Sequence, residues 1–187
     1  MKNKNVNRRD FLKRSSIGAM GAGIVSTTGF SQTQLTNDFE KPVIQEYRTM
    51  GRTGFRVSDI SSGAPSSEAV LKALLDAGVN YIDTGEVYGN GNNEKLIGNV
   101  IKEYDRSKLF ISAKLYTRDK FASKEDVIKR TNASLKRLGT DYVDCMMIHS
   151  AENSRILKDE AFHAGMEQMK KEGKVHFTGV SCHGNNH

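Results

Sequence analysis

The sequence predicts an α/β fold, namely the first five β/α units of a (β/α)8 TIM barrel preceded by an amino-terminal hairpin. From residue 45 onward, apolar stretches of strand type alternate with helical patterns, which is typical of parallel strands joined by right-handed crossovers. Successive strands close on a polar residue at intervals of 31 to 35 residues, and these residues are Asp83, Lys114, His149 and Ser181. That interval is the size of one β/α unit, and eight such units need roughly 250 residues.

The strands are expected in the following order. A hairpin comes first, with strands at 45–50 and 55–58 on either side of Gly51-Arg52-Thr53-Gly54, whose glycines suit the positive φ of a tight turn. The barrel strands follow at 57–63, 80–84, 109–114, 142–149 and 175–181. An open sheet of five strands leaves two unprotected edges, so the pattern predicts a barrel that is incomplete at its carboxyl terminus. A small doubly wound sheet is the alternative.

Four helices are expected between the strands, and each has an apolar stripe at helical spacing. The stripes are, in chain order, Val70, Leu71, Leu74 and Leu75; Leu96, Ile97, Val100 and Ile101; Val127, Ile128, Thr131, Leu135 and Leu138; and Phe162, Met166 and Met169. Gly78 ends the first helix. The third has a start that resembles a capping box at Ser123 and a stop at Gly139. The fourth is expected over 159–172.

The charge of the chain is concentrated at its amino terminus. The 187 residues contain 28 Lys+Arg against 22 Asp+Glu, a net charge of +6. Six of the basic residues and one acidic residue fall in 1–31. The remainder is nearly neutral, so no nucleic-acid partner is expected.

Residues 1–31 have the pattern of an export signal. Arg8-Arg9, followed by Asp-Phe-Leu-Lys and a short glycine-rich apolar run at 17–25, resembles the twin-arginine signal of bacteria. That resemblance implies the Tat translocase as a partner, a periplasmic location and no membrane anchor after cleavage. A basic, disordered tail is the alternative. Residues 32–44 are interpreted as a linker and 45–187 as the barrel domain.

The polar residues at the strand ends suggest a catalytic site, because the carboxyl ends of barrel strands build the active site. A phenol such as that of Tyr88 is by itself a poor proton donor at neutral pH. A neighbouring ammonium favours the phenolate and a carboxylate holds the ammonium, roles that suit Lys114 and Asp83. His149 can donate a hydrogen bond to a substrate oxygen.

Each of the four residues has a plain structural interpretation as well. Asp83 suits a helix cap, Tyr88 an exposed loop, and His149 a satisfied position in the core. Lys114 closes an apolar run, so it needs a partner wherever it lies. Their occurrence at one rim favours a shared catalytic role.

Five ordered blocks then resemble the aldo-keto reductase family. They are YRTMGRTGFRVS at 47–58, YIDTGEVYGNGNNE at 81–94, FISAK at 110–114, DCMMIH at 144–149 and GVSCH at 179–183. The resemblance implies an oxidoreductase that reduces an aldehyde or ketone to an alcohol with NAD(P)H, in which Asp83, Tyr88, Lys114 and His149 are the catalytic tetrad and Tyr88 is the proton donor. Ser181, which would hold the nicotinamide carboxamide, and Asp83 are the expected cofactor-binding residues. Cys182 stands where many members have asparagine.

The resemblance also bears on the cofactor and the alternatives. NADP(H) is the family expectation, and NAD(H) stays open. The family's later strands carry the phosphate contacts, so the 187-residue chain is expected to be an inactive fragment. The alternative function is that of a non-catalytic, nicotinamide-binding module that regulates a partner protein, as in the potassium-channel beta subunits. A metal site at Cys182, His183 and His187 is disfavoured because it lacks a fourth ligand.

Overall fold

The structure is a computed structural model that describes residues 43–183. The predicted export signal at 1–31, most of the predicted linker and His187 therefore lie outside the described residues.

The predicted hairpin is confirmed. Strand β1 (Tyr47–Thr49) pairs antiparallel with β2 (Arg56–Ser58), and a short 3-10 turn at Gly51–Thr53 joins them. Gly51 and Gly54 have φ of 47° and 71°, the left-handed values that glycine adopts without a steric cost.

Four parallel strands form the main sheet, in the order β3-β4-β5-β6. Their bounds are Tyr81–Asp83 for β3, Phe110–Tyr116 for β4, Val143–His149 for β5 and Val175–Val180 for β6. Sequential order with every pair parallel requires a crossover between neighbours, and the helices supply it. The barrel-type arrangement predicted from the alternation is thus present in the described residues.

The helices cover one face of this sheet. They are α1 (Glu68–Asp76), α2 (Asn92–Ile101), α3 (Lys124–Leu138), the single turn α4 (Ser154–Leu157) and α5 (Glu160–Lys171). Side chains cap four of them, because Ser67, Ser123, Asn153 and Asp159 each accept from the backbone N–H three residues on. Each such cap contributes about 1 kcal/mol. Gly139, in a left-handed conformation, ends α3 as predicted.

The core lies between the helices and the outward side of the sheet. Ile111, Ala113 and Leu115 alternate along β4 on the helix side, and all three are fully buried. Gly165 lets α5 approach α3 closely, since a Cβ there would lie 2.6 Å from Val127 Cγ1. The polar residues at the carboxyl ends of the strands lie on the opposite side of the sheet.

Two details of the sequence interpretation are wrong. The segment 57–63 is not a barrel strand, because only Ser62 pairs in parallel with Ile82. The Ser58 hydroxyl donates to Ile60 O at 2.6 Å, and Ile60 is 58% exposed, so the chain bulges out of the sheet there. Val70 is also 45% exposed, because Leu71 and Leu75 occupy the core-facing positions of α1.

The described residues show neither a helix suited to span a membrane nor a cluster suited to bind a metal ion. None of the helices in residues 43–183 combines the length and the hydrophobicity that a membrane-spanning segment needs. The same residues contain no cluster of His, Cys, Asp and Glu that is arranged to hold a metal ion.

Candidate active site

The carboxyl end of the parallel sheet gathers three of the predicted residues. Asp83 is the last residue of β3, Lys114 lies two residues before the end of β4, and His149 is the last residue of β5. Because side chains alternate along a strand, Lys114 points to the side of β4 opposite the helix-facing Ala113 and Leu115.

Lys114 is a buried cation with two oxygen partners. It is only 4% exposed, and its Nζ makes an ion pair with Asp83 Oδ1. The same Nζ donates to Thr84 O at 3.0 Å. Two of the three ammonium protons are therefore used by these oxygens, which satisfies the requirement that a buried charge be paired.

Tyr88 returns to this rim from the loop after β3. Its backbone N–H donates to Gly85 O at 3.0 Å, and Gly89, Asn90 and Gly91 follow with left-handed φ of 57°, 52° and 81°. Three consecutive residues in that region turn the chain sharply toward α2. The Tyr88 ring centroid lies 5.1 Å from Lys114 Nζ.

His149 completes the group. The Tyr88 hydroxyl lies 3.4 Å from His149 Nε2, and the two rings pack edge to face with centroids 5.2 Å apart. Burial lowers the pKa of His149, and the Lys114 ammonium lowers it further. The imidazole is thus neutral at neutral pH, with one ring nitrogen carrying a proton.

The far side of the imidazole is closed by a glycine. His149 is 5% exposed, and its Nδ1 has no hydrogen-bond partner among the described residues. A Cβ on Gly85 would lie 3.6 Å from that nitrogen and 3.2 Å from Lys114 Cβ. The small residue at position 85 therefore lets the loop pack directly against both side chains.

Ser181 follows β6 at the same edge of the sheet. Its Oγ accepts from Ser150 N at 3.0 Å, and its backbone N–H donates to Ile148 O at 2.9 Å. Because the oxygen is used as an acceptor, the hydroxyl proton stays available for a ligand. Cys182 and His183, two of the candidate metal ligands, are exposed.

Sequence reasoning missed the side chains that support this rim. Glu86 accepts from the backbone N–H of Tyr116 at 2.8 Å and forms an ion pair with Arg130 of α3. The Tyr116 ring packs edge to face on His149 with centroids 6.1 Å apart. Glu86 lies inside the quoted 81–94 block, but no sequence pattern joins it to an arginine 44 residues away.

Known proteins resemble the chain over most of these residues. The model of the aldo/keto reductase family matches residues 50–186. A probable voltage-gated potassium channel subunit beta of Arabidopsis thaliana is 34% identical over 131 residues, which are 61% of this chain and 40% of that protein. The methylglyoxal reductase YeaE of Escherichia coli is 30% identical over 148 residues, which are 79% of this chain and 48% of that protein.

A solved structure agrees with the sequence relatives. An aldo/keto reductase from Klebsiella pneumoniae in complex with NADP and acetate aligns with a TM-score of 0.61 at 30% identity, over 71% of this chain and 48% of that one. The present chain thus covers less than half the length of each of these three proteins. Since the family model covers most of the chain and the solved relative shares its β/α arrangement, this chain belongs to the aldo/keto reductase family.

Proposed function

We propose that these residues carry out the reduction of an aldehyde or ketone to an alcohol with NAD(P)H, in the protein produced from the complete gene. The observation that carries the proposal is the approach of two polar atoms at the rim, the Tyr88 hydroxyl and His149 Nε2, to 3.4 Å. A carbonyl oxygen beside this pair can accept hydrogen bonds from both.

Tyr88 is the proton donor in this proposal. As negative charge develops on the substrate oxygen, the phenol transfers its proton and becomes a phenolate. The Lys114 ammonium, 5.1 Å from the ring centroid, stabilises that phenolate. Asp83 and the Thr84 carbonyl hold the ammonium in place, and solvent returns a proton to Tyr88 after the alcohol leaves.

His149 orients the substrate. It is neutral at neutral pH because burial and Lys114 lower its pKa, so it donates a hydrogen bond through Nε2 when the proton is on that nitrogen. A neutral donor polarises the carbonyl without competing with Tyr88 for the role of acid.

A nicotinamide cofactor fits the residues next to this pair. When bound, it supplies the hydride that the carbonyl carbon accepts. Ser181 has a hydroxyl proton to donate to the carboxamide oxygen, because its own oxygen already accepts from Ser150 N. Asp83 lies at the same edge and is the second residue we assign to the cofactor site. NADP(H) is the expected form, since a solved relative binds NADP, and NAD(H) is the alternative.

The experiment is steady-state reduction of a panel of aldehydes and ketones by the gene-length protein, with NADPH and NADH compared. Turnover that is lost in Tyr88→Phe supports the proposal. Turnover that survives unchanged in that variant rejects it.

A non-catalytic role is the second candidate, because the Arabidopsis relative is described as a channel subunit. In that case the protein binds a nicotinamide cofactor and regulates a partner. Saturable NADPH binding without turnover of any carbonyl in the panel favours this function over the enzyme.

We also infer that the 187-residue chain on its own does not turn over. It covers less than half the length of the two curated relatives described above, and the described residues supply four parallel strands where a barrel has eight. NADPH titrated into the purified chain and followed by its fluorescence tests this. Tight, saturable binding contradicts the inference.

Export by the twin-arginine route to the periplasm is a further proposal, supported by the sequence at 8–13 alone. Replacing Arg8 and Arg9 by lysine should leave the precursor in the cytoplasm. Unchanged periplasmic accumulation contradicts it.

A further inference from the structure

We propose that Arg130 is a positioning residue that acts through Glu86 to hold the Tyr88 loop against the end of the Lys114 strand. The inference rests on the proposed reductase function and extends it to a residue on the outer helix layer. Four groups contact the Arg130 guanidinium, namely Glu86, the Tyr116 carbonyl, Asp126 and the Phe121 ring.

Arg130 and Glu86 form a bidentate ion pair. Arg130 Nε donates to Glu86 Oε2 at 3.2 Å, and Arg130 Nη2 pairs with Glu86 Oε1. Both side chains are mostly buried. Such bidentate pairs fix orientation as well as distance, which a single charged contact does not.

The pair also binds the backbone of the last residue of β4. Tyr116 N donates to Glu86 Oε1 at 2.8 Å, and Arg130 Nη2 donates to Tyr116 O at 2.5 Å. Both backbone polar groups of Tyr116 are therefore satisfied by this one ion pair. The loop after β3, the end of β4 and helix α3 are fixed to one another at this point.

The proposed site surrounds this junction. Tyr88 lies two residues beyond Glu86, and Lys114 lies two residues before Tyr116. Glu86 N donates to Lys114 O at 3.1 Å, and the Tyr116 ring packs against His149. A movement of Glu86 thus changes the placement of Tyr88 relative to both of its proposed partners.

The backbone hydrogen bonds found for the Tyr88 loop in the described residues connect it to itself and to β4, and none of them reaches helix α3. Immediately after Tyr88 the chain enters the three left-handed residues at 89–91, which form no regular ladder. The loop before it is held by Glu86 N and by Tyr88 N to Gly85 O. The Arg130 contact is the one side-chain ion pair that we find between this loop and the helix layer in residues 43–183.

Two variants of Arg130 separate its chemistry from its packing. Arg130→Met keeps an apolar stem over the Phe121 ring, whose centroid lies 5.1 Å from the guanidinium, but removes every polar contact. Arg130→Lys keeps the charge and loses the fork. We expect kcat to fall about 10²-fold in Arg130→Met, with a smaller loss in Arg130→Lys and little change in KM or in cofactor Kd.

Asp126→Asn is the matched control. Asp126 Oδ2 contacts Arg130 Nη1 at 3.3 Å on the solvent side, so the substitution weakens one Arg130 ion pair and leaves the Glu86 pair intact. Its kcat should equal that of the wild type. Urea unfolding of every variant shows whether a loss of activity merely follows a loss of stability.

A double-mutant cycle tests whether Arg130 acts through Tyr88. In the Tyr88→Phe background, Arg130→Met should change kcat by no more than roughly twofold, because the group that it positions is gone. The same loss in both backgrounds would overturn the proposal, and so would a loss shared with Asp126→Asn.

A second measurement keeps the inference testable if the gene-length protein has no reductase activity. Carbon-13 labelling of tyrosine rings gives a Tyr88 resonance that is identified by its absence in Tyr88→Phe. In Arg130→Met this resonance should move toward the position of free tyrosine, and in Asp126→Asn it should stay. An unmoved resonance rejects the positioning role, whereas a moved one without turnover rejects only the proposed reaction.

Discussion

The two ends of the parallel sheet each bury an ion pair, yet they use it differently. At the amino ends of β4 and β5, the Arg106 guanidinium pairs with Asp144 at 2.7 Å. At the carboxyl ends, the Lys114 ammonium pairs with Asp83. The first pair is enclosed by further hydrogen bonds, whereas the second lies beside His149, whose Nδ1 has no partner among the described residues.

The hydrogen bonds of Arg106 are typical of a structural ion pair. Its guanidinium also donates to three other acceptors, Thr140 Oγ1, Leu109 O and Tyr142 O, and lies 4.0 Å from the Tyr142 ring centroid. Asp144 Oδ2 additionally accepts from Ile111 N at 2.8 Å. Four of the five guanidinium N–H donors of Arg106 are therefore used within the protein. We infer that this end of the sheet serves stability and the other end serves chemistry.

The largest expected effect is on stability, at the amino end. Arg106→Met leaves Asp144 as a buried charge without its cation, which should lower the free energy of unfolding by about 3 kcal/mol. The kcat of the folded protein should be unchanged. Urea unfolding and carbonyl reduction measured on the same preparation check both statements, and a selective loss of kcat would break the distinction between the two ends.

The next effect belongs to the carboxyl end. Lys114→Met removes the charge that stabilises a Tyr88 phenolate, so kcat should fall by at least ~10². Lys72→Met is the control, because Lys72 pairs with Glu103 on the exposed surface, where such pairs contribute little. Equal kcat in the two variants would contradict the assignment of Lys114.

A smaller effect is expected from one added methyl group. Gly85→Ala places a Cβ 3.2 Å from Lys114 Cβ, so Lys114 must shift by a few tenths of an ångström, and kcat should fall roughly tenfold or less. Gly63→Ala is the control, since a Cβ at Gly63 meets no atom within 4 Å. The measurement is the steady-state kcat of both variants. Identical kcat values would show that the site tolerates a displacement of Lys114.

The smallest effect concerns pH. Burial and the Lys114 ammonium lower the pKa of His149 in the folded protein, so the unfolded chain binds a proton at higher pH than the folded one. Stability from this group is therefore lost as pH falls below the ordinary histidine value of about 6.5. Unfolding in urea from about pH 7.5 to about pH 5.5 should show a steeper loss in the wild type than in His149→Gln. The same dependence of unfolding free energy on pH in the wild type and in His149→Gln would contradict this prediction.

Much of the fold follows from the sequence because strand ends and helix stops are local signals. The strand ends at Asp83 and His149 and the helix stop at Gly139 are where the alternation and the glycine predict them. The strand expected at 57–63 does not form, because the pairing of this segment depends on residues that are distant in the sequence. Ser58 N, for example, donates to Asn80 Oδ1 at 2.8 Å, 22 residues away.

The candidate site was predicted only in part, for a related reason. Asp83, Lys114 and His149 lie at or near strand ends, where periodicity locates them, whereas Tyr88 lies on the loop after β3. Periodicity does not locate the residues that support these groups. Arg130 lies on a helix whose polar face looks like an ordinary solvated surface. Only the folded chain brings its guanidinium to Glu86.

One measurement tests the difference between the two ends most directly: kcat for carbonyl reduction and Kd for NADPH in Tyr88→Phe and in Arg106→Met, both made in the gene-length protein. Tyr88→Phe keeps the ring and its packing and removes only the hydroxyl. The account predicts that Tyr88→Phe lowers kcat by at least ~10² with Kd and unfolding stability unchanged. Arg106→Met should lower the free energy of unfolding and leave kcat and Kd unchanged. Wild-type turnover in Tyr88→Phe would contradict the account.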